Sequence, residues 1–140
     1  SLIHPQIEIK TADARAILPS KVVLDDAVKQ WANMGSLVHA LHTNDHELLS
    51  ASLEDHIVEP HRSTLIPHFD AVKKAVTESG ALGCGISGSG PSIFSFSKDL
   101  KTAEEVMATM DRVYSTSNIP YNLYLSQINT TGIKIINQKE

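Results

Sequence analysis

The stretch from Gly80 to Ser97 constrains this chain more than any other. Five of the seven glycines fall between Gly80 and Gly90. Leu82, Cys84 and Ile86 alternate with Gly83 and Gly85, the period of two that marks a strand. One face of that strand is apolar, and the other is bare, so that something else can lie against the backbone. A tight polar loop follows, Ser87-Gly88-Ser89-Gly90-Pro91-Ser92, and then a second strand from Ile93 to Ser97. A loop of this composition can turn successive backbone N–H groups into one concavity, which suits a phosphate or a carboxylate. The plainer alternative is a hairpin turn with no ligand. The loop lacks the Gly-Lys-Ser/Thr of a Walker loop, and a strand rather than a helix follows it, which excludes a dinucleotide fingerprint.

A chain of 140 residues is one domain's worth and can bury a core without staples. With 41% hydrophobic and 20% charged residues it reads as globular, not disordered. A net charge of −4, mixed along the chain, argues against nucleic acid or an anionic membrane as the partner. No apolar run approaches the ~20 residues that span a bilayer, and nothing resembles a signal peptide, so the cytoplasm is the expected compartment. The single Cys84 excludes an internal disulfide and a cysteine-built zinc site; its place on the apolar strand face points to packing. The chain opens Ser-Leu-Ile-His-Pro without methionine and reads as a piece of a longer protein.

In order, Gln6 to Lys10 alternates as a half-buried strand, with Ile7 and Ile9 inward. Thr11 is the expected N-cap of a short helix to about Leu18, closed by Pro19, with Arg15 one turn in. A second helix starts at Asp25, with Leu24 as its staple. Leu24, Val28, Trp31, Leu37, Val38 and Leu41 form its apolar face to about His42. Gly35 in mid-helix suggests close approach of another element. A third helix carries Leu48, Leu49, Leu53 and Ile57, and Glu59-Pro60-His61-Arg62 then breaks the pattern.

Pro67 opens a helix with Phe69, Val72 and Val76 as its core stripe and Gly80 as its end. After the two glycine-flanked strands, Thr102 and Glu105 form the capping box of a helix to about Ser117, with Val106, Met110, Val113 and Tyr114 inward. Tyr121 to Ile128 is a strand, Asn129 to Gly132 a hairpin turn, and Ile133 to Ile136 its return. Five strands and five helices, grouped rather than alternating, point to α+β: a ferredoxin-like antiparallel sheet with helices on one face and extra helices inserted early.

Seven histidines raise the question of a metal, but His39 with His42, and His61 with His68, lack a third ligand at a recognisable spacing, so no metal site is expected. No general base or nucleophile stands out, and no catalytic residue is assigned. Of the three arginines, Arg112 lies among acidic neighbours as a surface charge. Arg15 and Arg62 are placed to project into a cleft, and the planar guanidinium is suited to a bidentate grip on a carboxylate or phosphate.

The motif Gly80-Ala81-Leu82-Gly83 followed by Ile86-Ser87-Gly88-Ser89-Gly90-Pro91-Ser92 resembles the third, C-terminal glycine-rich motif of the GHMP kinases. Ile7-Glu8-Ile9-Lys10-Thr11-Ala12-Asp13-Ala14-Arg15-Ala16-Ile17-Leu18-Pro19 resembles the segment that begins the C-terminal half of homoserine kinases in particular. Glu59-Pro60-His61-Arg62 with Leu65-Ile66-Pro67 resembles that family's Glu-Pro-x-Arg…Leu-Ile-Pro segment. The resemblance implies that residues 1–140 are a single C-terminal domain, with the nucleotide-binding N-terminal domain missing. It implies that Thr11, Arg15, Arg62 and Gly88 line a homoserine pocket, the arginines serving the carboxylate. Ser87, Gly88, Ser89, Gly90, Pro91 and Ser92 would shape the nucleotide site from one side. The implied reaction takes ATP, with Mg²⁺, and L-homoserine to O-phospho-L-homoserine on the threonine pathway, in a homodimer. A second possibility is a ferredoxin-like ligand-binding or dimerisation module without chemistry; a third is a GHMP kinase for another alcohol.

Overall fold

A computed structural model describes residues 1–135. Its elements in chain order are β1 (Leu2–Pro5), α1 (Thr11–Ala16), α2 (Leu24–Thr43), α3 (His46–Ser52), α4 (Glu59–Arg62), a 3-10 turn (Ser63–Leu65), α5 (Phe69–Glu78), β2 (Gly83–Ile86), β3 (Ile93–Phe96), α6 (Leu100–Tyr114) and β4 (Tyr121–Tyr124). Among the described residues the sheet has four strands in the order β2-β3-β1-β4, every neighbouring pair antiparallel. That is the ferredoxin-like α+β arrangement expected, with α1 to α4 as the early insertion.

The core lies between the sheet and the helices α5 and α6. Ile3, Cys84 and Ile93 from the strands meet Phe69, Val72 and Val76 from α5 and Val106, Met110 and Tyr114 from α6. The stripes read from these two helices are the ones buried, and each fully buried large apolar side chain contributes about 1.5–3 kcal/mol. Tyr114 is wholly buried, and its hydroxyl donates to the Pro67 carbonyl at 2.5 Å, which satisfies both groups. Burial pushes the Cys84 thiol up to about 12, so it behaves as a small core hydrophobe. Gly80 takes φ +89°, ending α5 as its sequence predicts.

Several boundaries differ from the sequence reading, each for a local reason. The first strand is Leu2–Pro5, not Gln6–Lys10. Ile3 and Pro5 point inward, and the ladder to β4 runs from Leu2↔Tyr124 to Pro5↔Tyr121. Pro5 is tolerated because pairing with β3 has already ended at Ile3, so no partner is denied its missing N–H. The alternation at Ile7 and Ile9 is real, since both are half-buried, but no strand pairs with it. Thr11 is the first helical residue; Lys10 occupies the cap position, without a side-chain bond. Likewise Val23, not Asp25, precedes α2, and Asp25 and Asp26 sit in its first turn, where the helix dipole favours them.

Glu59-Pro60-His61-Arg62 is not a break but a helical turn, because Pro60 lies in its first turn, where the proline ring needs no N–H. The irregular stretch comes earlier, at Leu53 to Val58. Asp99, not Thr102, caps α6, its carboxylate accepting from the Thr102 amide at 2.8 Å, and the helix ends at Tyr114. The last strand stops at Tyr124. The turn at Asn129 to Gly132 forms, with Gly132 at φ +69° and the Asn129 side chain donating to the Gly132 carbonyl, but among the described residues no strand returns from it. Ile133 and Ile135 are exposed, and Ile136 lies outside the described residues.

The largest departure is α2. Of Leu24, Val28, Trp31, Leu37, Val38 and Leu41, read as a core-facing stripe, Leu37 is half-buried and the other five are 50–69% exposed, with Met34 beside them, and only Ala40 of this helix is buried. Gly35 faces open space rather than a close neighbour.

Candidate functional site

The two faces of β2 explain its sequence. Cys84 points into the core, while Gly83 and Gly85 lie on the opposite face. What lies against that bare backbone is the protein itself. A Cβ built on Gly83 would stand 2.6 Å from Leu53, and one on Gly85 would meet the Phe94 ring at 3.2 Å and Glu59 Oε2 at 3.7 Å. The irregular stretch after α3 thus seats its Leu53 on the glycine strand and delivers Glu59 beside it. A cleft of about 230 Å³ remains there, with Gln30, Ser52, Asp55, Glu59, Phe94 and Gly88 in its lining.

The polar loop leaves the end of this strand. Ser87 N–H donates to the Ser92 carbonyl at 2.8 Å, and Gly90 N–H to the Ser87 carbonyl at 3.1 Å. Gly88 and Gly90 take φ +64° and +83°, values that only glycine adopts freely. The bend leaves the amides of Gly88 and Ser89 without a protein partner among the described residues, two adjacent donors of the kind that form an anion-binding concavity. Ser92 is fixed from β1 by a 2.7 Å hydrogen bond between its hydroxyl and His4 Nδ1.

Arg62 ties this loop to α1. Its Nε donates to the Ala14 carbonyl at 3.1 Å and its Nη1 to the Gly88 carbonyl at 3.0 Å. A guanidinium has five N–H donors, so three remain at the junction of helix and loop. Thr11 and Arg15 lie four residues apart on α1, hence on one face of it. Both are exposed, and neither side chain has a hydrogen-bond or ion-pair partner among the described residues. The structure therefore brings Arg62, Gly88 and the carbonyl of Ala14 into contact, and sets Thr11 and Arg15 on the helix that Arg62 holds.

Two contributors escaped the sequence reading. His4 was not singled out, since a histidine in a strand carries no signal of a partner 88 positions away. In the sequence Glu59 marks only the start of a break in the helical pattern, yet it is nearly buried and pairs with Lys73 of α5. Burial raises its carboxyl above the ordinary carboxylate range despite the pull of Lys73, and Asp55 and Glu54 add to the rise. A carboxyl with a higher pKa folded than unfolded favours the protonated fold. Its contribution is complete below the unfolded value near 4.5 and is lost as pH rises through the folded one. Glu59→Gln should therefore gain stability relative to the wild type between roughly pH 4 and pH 7, read by urea unfolding at both values. A difference that does not grow with pH would show that Lys73 cancels the burial.

Among the described residues no three His, Cys, Asp or Glu side chains come together to hold a metal, and no helix is long and apolar enough to cross a membrane.

Comparison with known proteins gives a consistent picture. The family model for the GHMP kinases C terminal matches residues 37–116. Homoserine kinase of Chlorobium phaeobacteroides is 45% identical over 138 residues, which is 97% of this chain and 43% of that protein. Homoserine kinase of Chlorobaculum tepidum is 41% identical over the same shares. The crystal structure of homoserine kinase from Cytophaga hutchinsonii superposes with a TM-score of 0.87 at 50% identity, over 90% of this chain and 40% of that one. The chain thus spans less than half the length of the relatives it matches.

Proposed function

The chain belongs to the GHMP kinase C-terminal family, and from that premise we propose that it is the substrate-binding C-terminal domain of a homoserine kinase, acting with an N-terminal nucleotide-binding domain in a longer protein. The observation that carries the reading is Arg62, bonded at once to α1 and to the glycine loop. On this reading its remaining donors and those of Arg15, on the helix it holds, grip one anion together. An amino acid presents one carboxylate, and two guanidinium groups that converge on it fix its orientation. Thr11 and the amide of Gly88 complete the wall on either side. The loop from Ser87 to Ser92 closes the cleft toward the nucleotide.

In the proposed reaction the hydroxyl oxygen of L-homoserine displaces ADP from the γ-phosphorus of ATP, giving O-phospho-L-homoserine for threonine biosynthesis. Such transfers depend on positioning and charge neutralisation more than on covalent help. Among the described residues no carboxylates cluster as a magnesium cage needs, and the Mg²⁺ that neutralises phosphate charge is proposed to be held by the N-terminal domain. By this reading residues 1–140 fold alone and are inactive alone, in the cytoplasm, and the longer enzyme is a homodimer.

The test is ADP release by the protein extended upstream of Ser1, with L-homoserine, mevalonate and galactose offered in parallel. Turnover with homoserine only is expected, and none from the 140-residue chain. Turnover by the short chain would overturn the division of labour. Turnover with mevalonate or galactose instead would move the assignment to another GHMP kinase. No turnover from a folded longer protein would favour a binding module.

A further inference from the structure

We propose that His4 is a positioning residue for the nucleotide, acting through Ser92 to hold the far limb of the glycine loop so that the amides of Gly88 and Ser89 face the phosphates. The inference rests on the reading of that loop as one wall of the nucleotide site, and adds to it a residue from outside the loop.

The neck of the loop is closed by backbone alone. Ile86 pairs with Ile93, and the Ser87 amide donates to the Ser92 carbonyl at 2.8 Å. Beyond the neck, two side chains tie the loop to the rest of the fold. Arg62 holds one limb through the Gly88 carbonyl at 3.0 Å. The other limb, Pro91 and Ser92, runs beside β1 at the point where their ladder gives out. β1 pairs with β3 at Leu2↔Phe94 and Ile3↔Ile93, and one step further the same register sets His4 against Ser92. The Ser92 carbonyl already accepts from Ser87, and the next residue of β1, Pro5, has no N–H to offer. The side chains make the link instead, His4 Nδ1 to Ser92 Oγ at 2.7 Å.

Placement and chemistry both suit the role. Ile3 and Pro5 point into the core, so His4 projects from the opposite face of the sheet. It is half-buried there, as is Ser92. Nε2 of the ring has no hydrogen-bond partner among the described residues, so the bond to Ser92 is what orients the imidazole. A neutral imidazole carries one donor and one acceptor, and a hydroxyl can do either, so the link forms with both tautomers. With the proton on Nδ1, Ser92 accepts and its own hydroxyl proton is free for an anion in the loop. The restraint then passes along the chain: Ser92 holds Ser87 across the neck, and Gly88 and Ser89 follow Ser87 directly. The two ties are separable. Arg62 also bonds α1, which carries Thr11 and Arg15, whereas the His4 side chain bonds only the loop among the described residues.

The test uses the longer protein. His4→Phe keeps an aromatic ring and removes the hydrogen bond. Its Kd for ADP, by calorimetric titration, should rise about five- to tenfold, as the loss of one hydrogen bond predicts. KM for L-homoserine should stay within about twofold of the wild type. His4→Asn, whose amide can stand where Nδ1 stands, should recover ADP binding to within about twofold. His4→Gln, one methylene longer, should bind ADP as weakly as His4→Phe, and replaces it where the phenyl ring unfolds the strand. In a Ser92→Ala background, His4→Phe should have no further effect, because the pair acts as a unit. An unchanged Kd in His4→Phe overturns the proposal, as does an Asn variant no better than Phe. A parallel rise in the homoserine KM also overturns it, since that is general loosening of the fold. A wild type that binds no ADP overturns it together with the nucleotide reading. A wild type that binds ADP without turning over homoserine overturns the substrate reading alone, and the ADP Kd and its rescue by Asn still decide the role of His4.

Discussion

Gly83→Ala is expected to destabilise the fold by about 2–3 kcal/mol, although the position reads as a simple small-to-small exchange. The added methyl would stand 2.6 Å from Leu53 Cβ and Cδ1. Cβ is not the free end of a flexible side chain, so relief needs movement of the backbone after α3. That backbone carries Asp55, whose carboxylate accepts from the amides of Ile57 and Val58 and so sets the start of α4. Displacement would therefore reach Glu59 and Arg62 as well as Leu53. The loss should be read as a lowered urea midpoint with an unchanged slope. Gly35→Ala makes the contrast: its methyl meets only open space, and an alanine should stabilise the isolated helix by about 1 kcal/mol. Equal effects at the two positions would mean that Leu53 does not sit on the glycine strand.

The difference between these glycines shows what the sequence could and could not convey. Alternation told that β2 has a bare face, because period two is a property of the strand alone. What covers that face depends on Leu53, thirty positions away, and no local pattern carries that. The same limit applies to α2. Its periodicity correctly marked one apolar face, but amphipathicity says only that a face seeks cover, not that the cover lies within the chain. Where local signals competed, geometry chose among them. Asp99 won the cap of α6 from Thr102 by being one turn earlier. Pro60, read as a breaker, instead began a turn, because the restriction it places on Glu59 weakens at the first position of a helix. The glycine loop and both arginines were legible as types, whereas the bonds from Arg62 to Ala14 and Gly88, and from His4 to Ser92, exist only through the fold.

Those bonds make Arg62 the residue whose loss should be felt most. In the longer protein, Arg62→Ala is expected to lower kcat/KM for L-homoserine by about 10²–10³-fold, equivalent to about 3–4 kcal/mol of transition-state stabilisation. Two losses combine in that figure. One is the charged hydrogen bonds that the proposed site gives Arg62 with the substrate carboxylate, worth roughly 1.5–3 kcal/mol each. The other is slackening of α1 against the loop once the Ala14 and Gly88 carbonyls lose their shared donor. The two are separable. In the 140-residue chain, where no turnover is expected, Arg62→Ala should cost only about 1–2 kcal/mol of stability, since the Gly88 bond is exposed and water can replace it. Arg62→Lys should not restore activity, because an ammonium cannot reach α1, the loop and a carboxylate in one plane. Arg15→Ala, whose side chain has no hydrogen bond or ion pair among the described residues, should reduce turnover without touching stability. If Arg62→Ala left turnover within about twofold of the wild type, Arg62 would be a brace between helix and loop and nothing more, and the pocket would have to be sought elsewhere on the cleft.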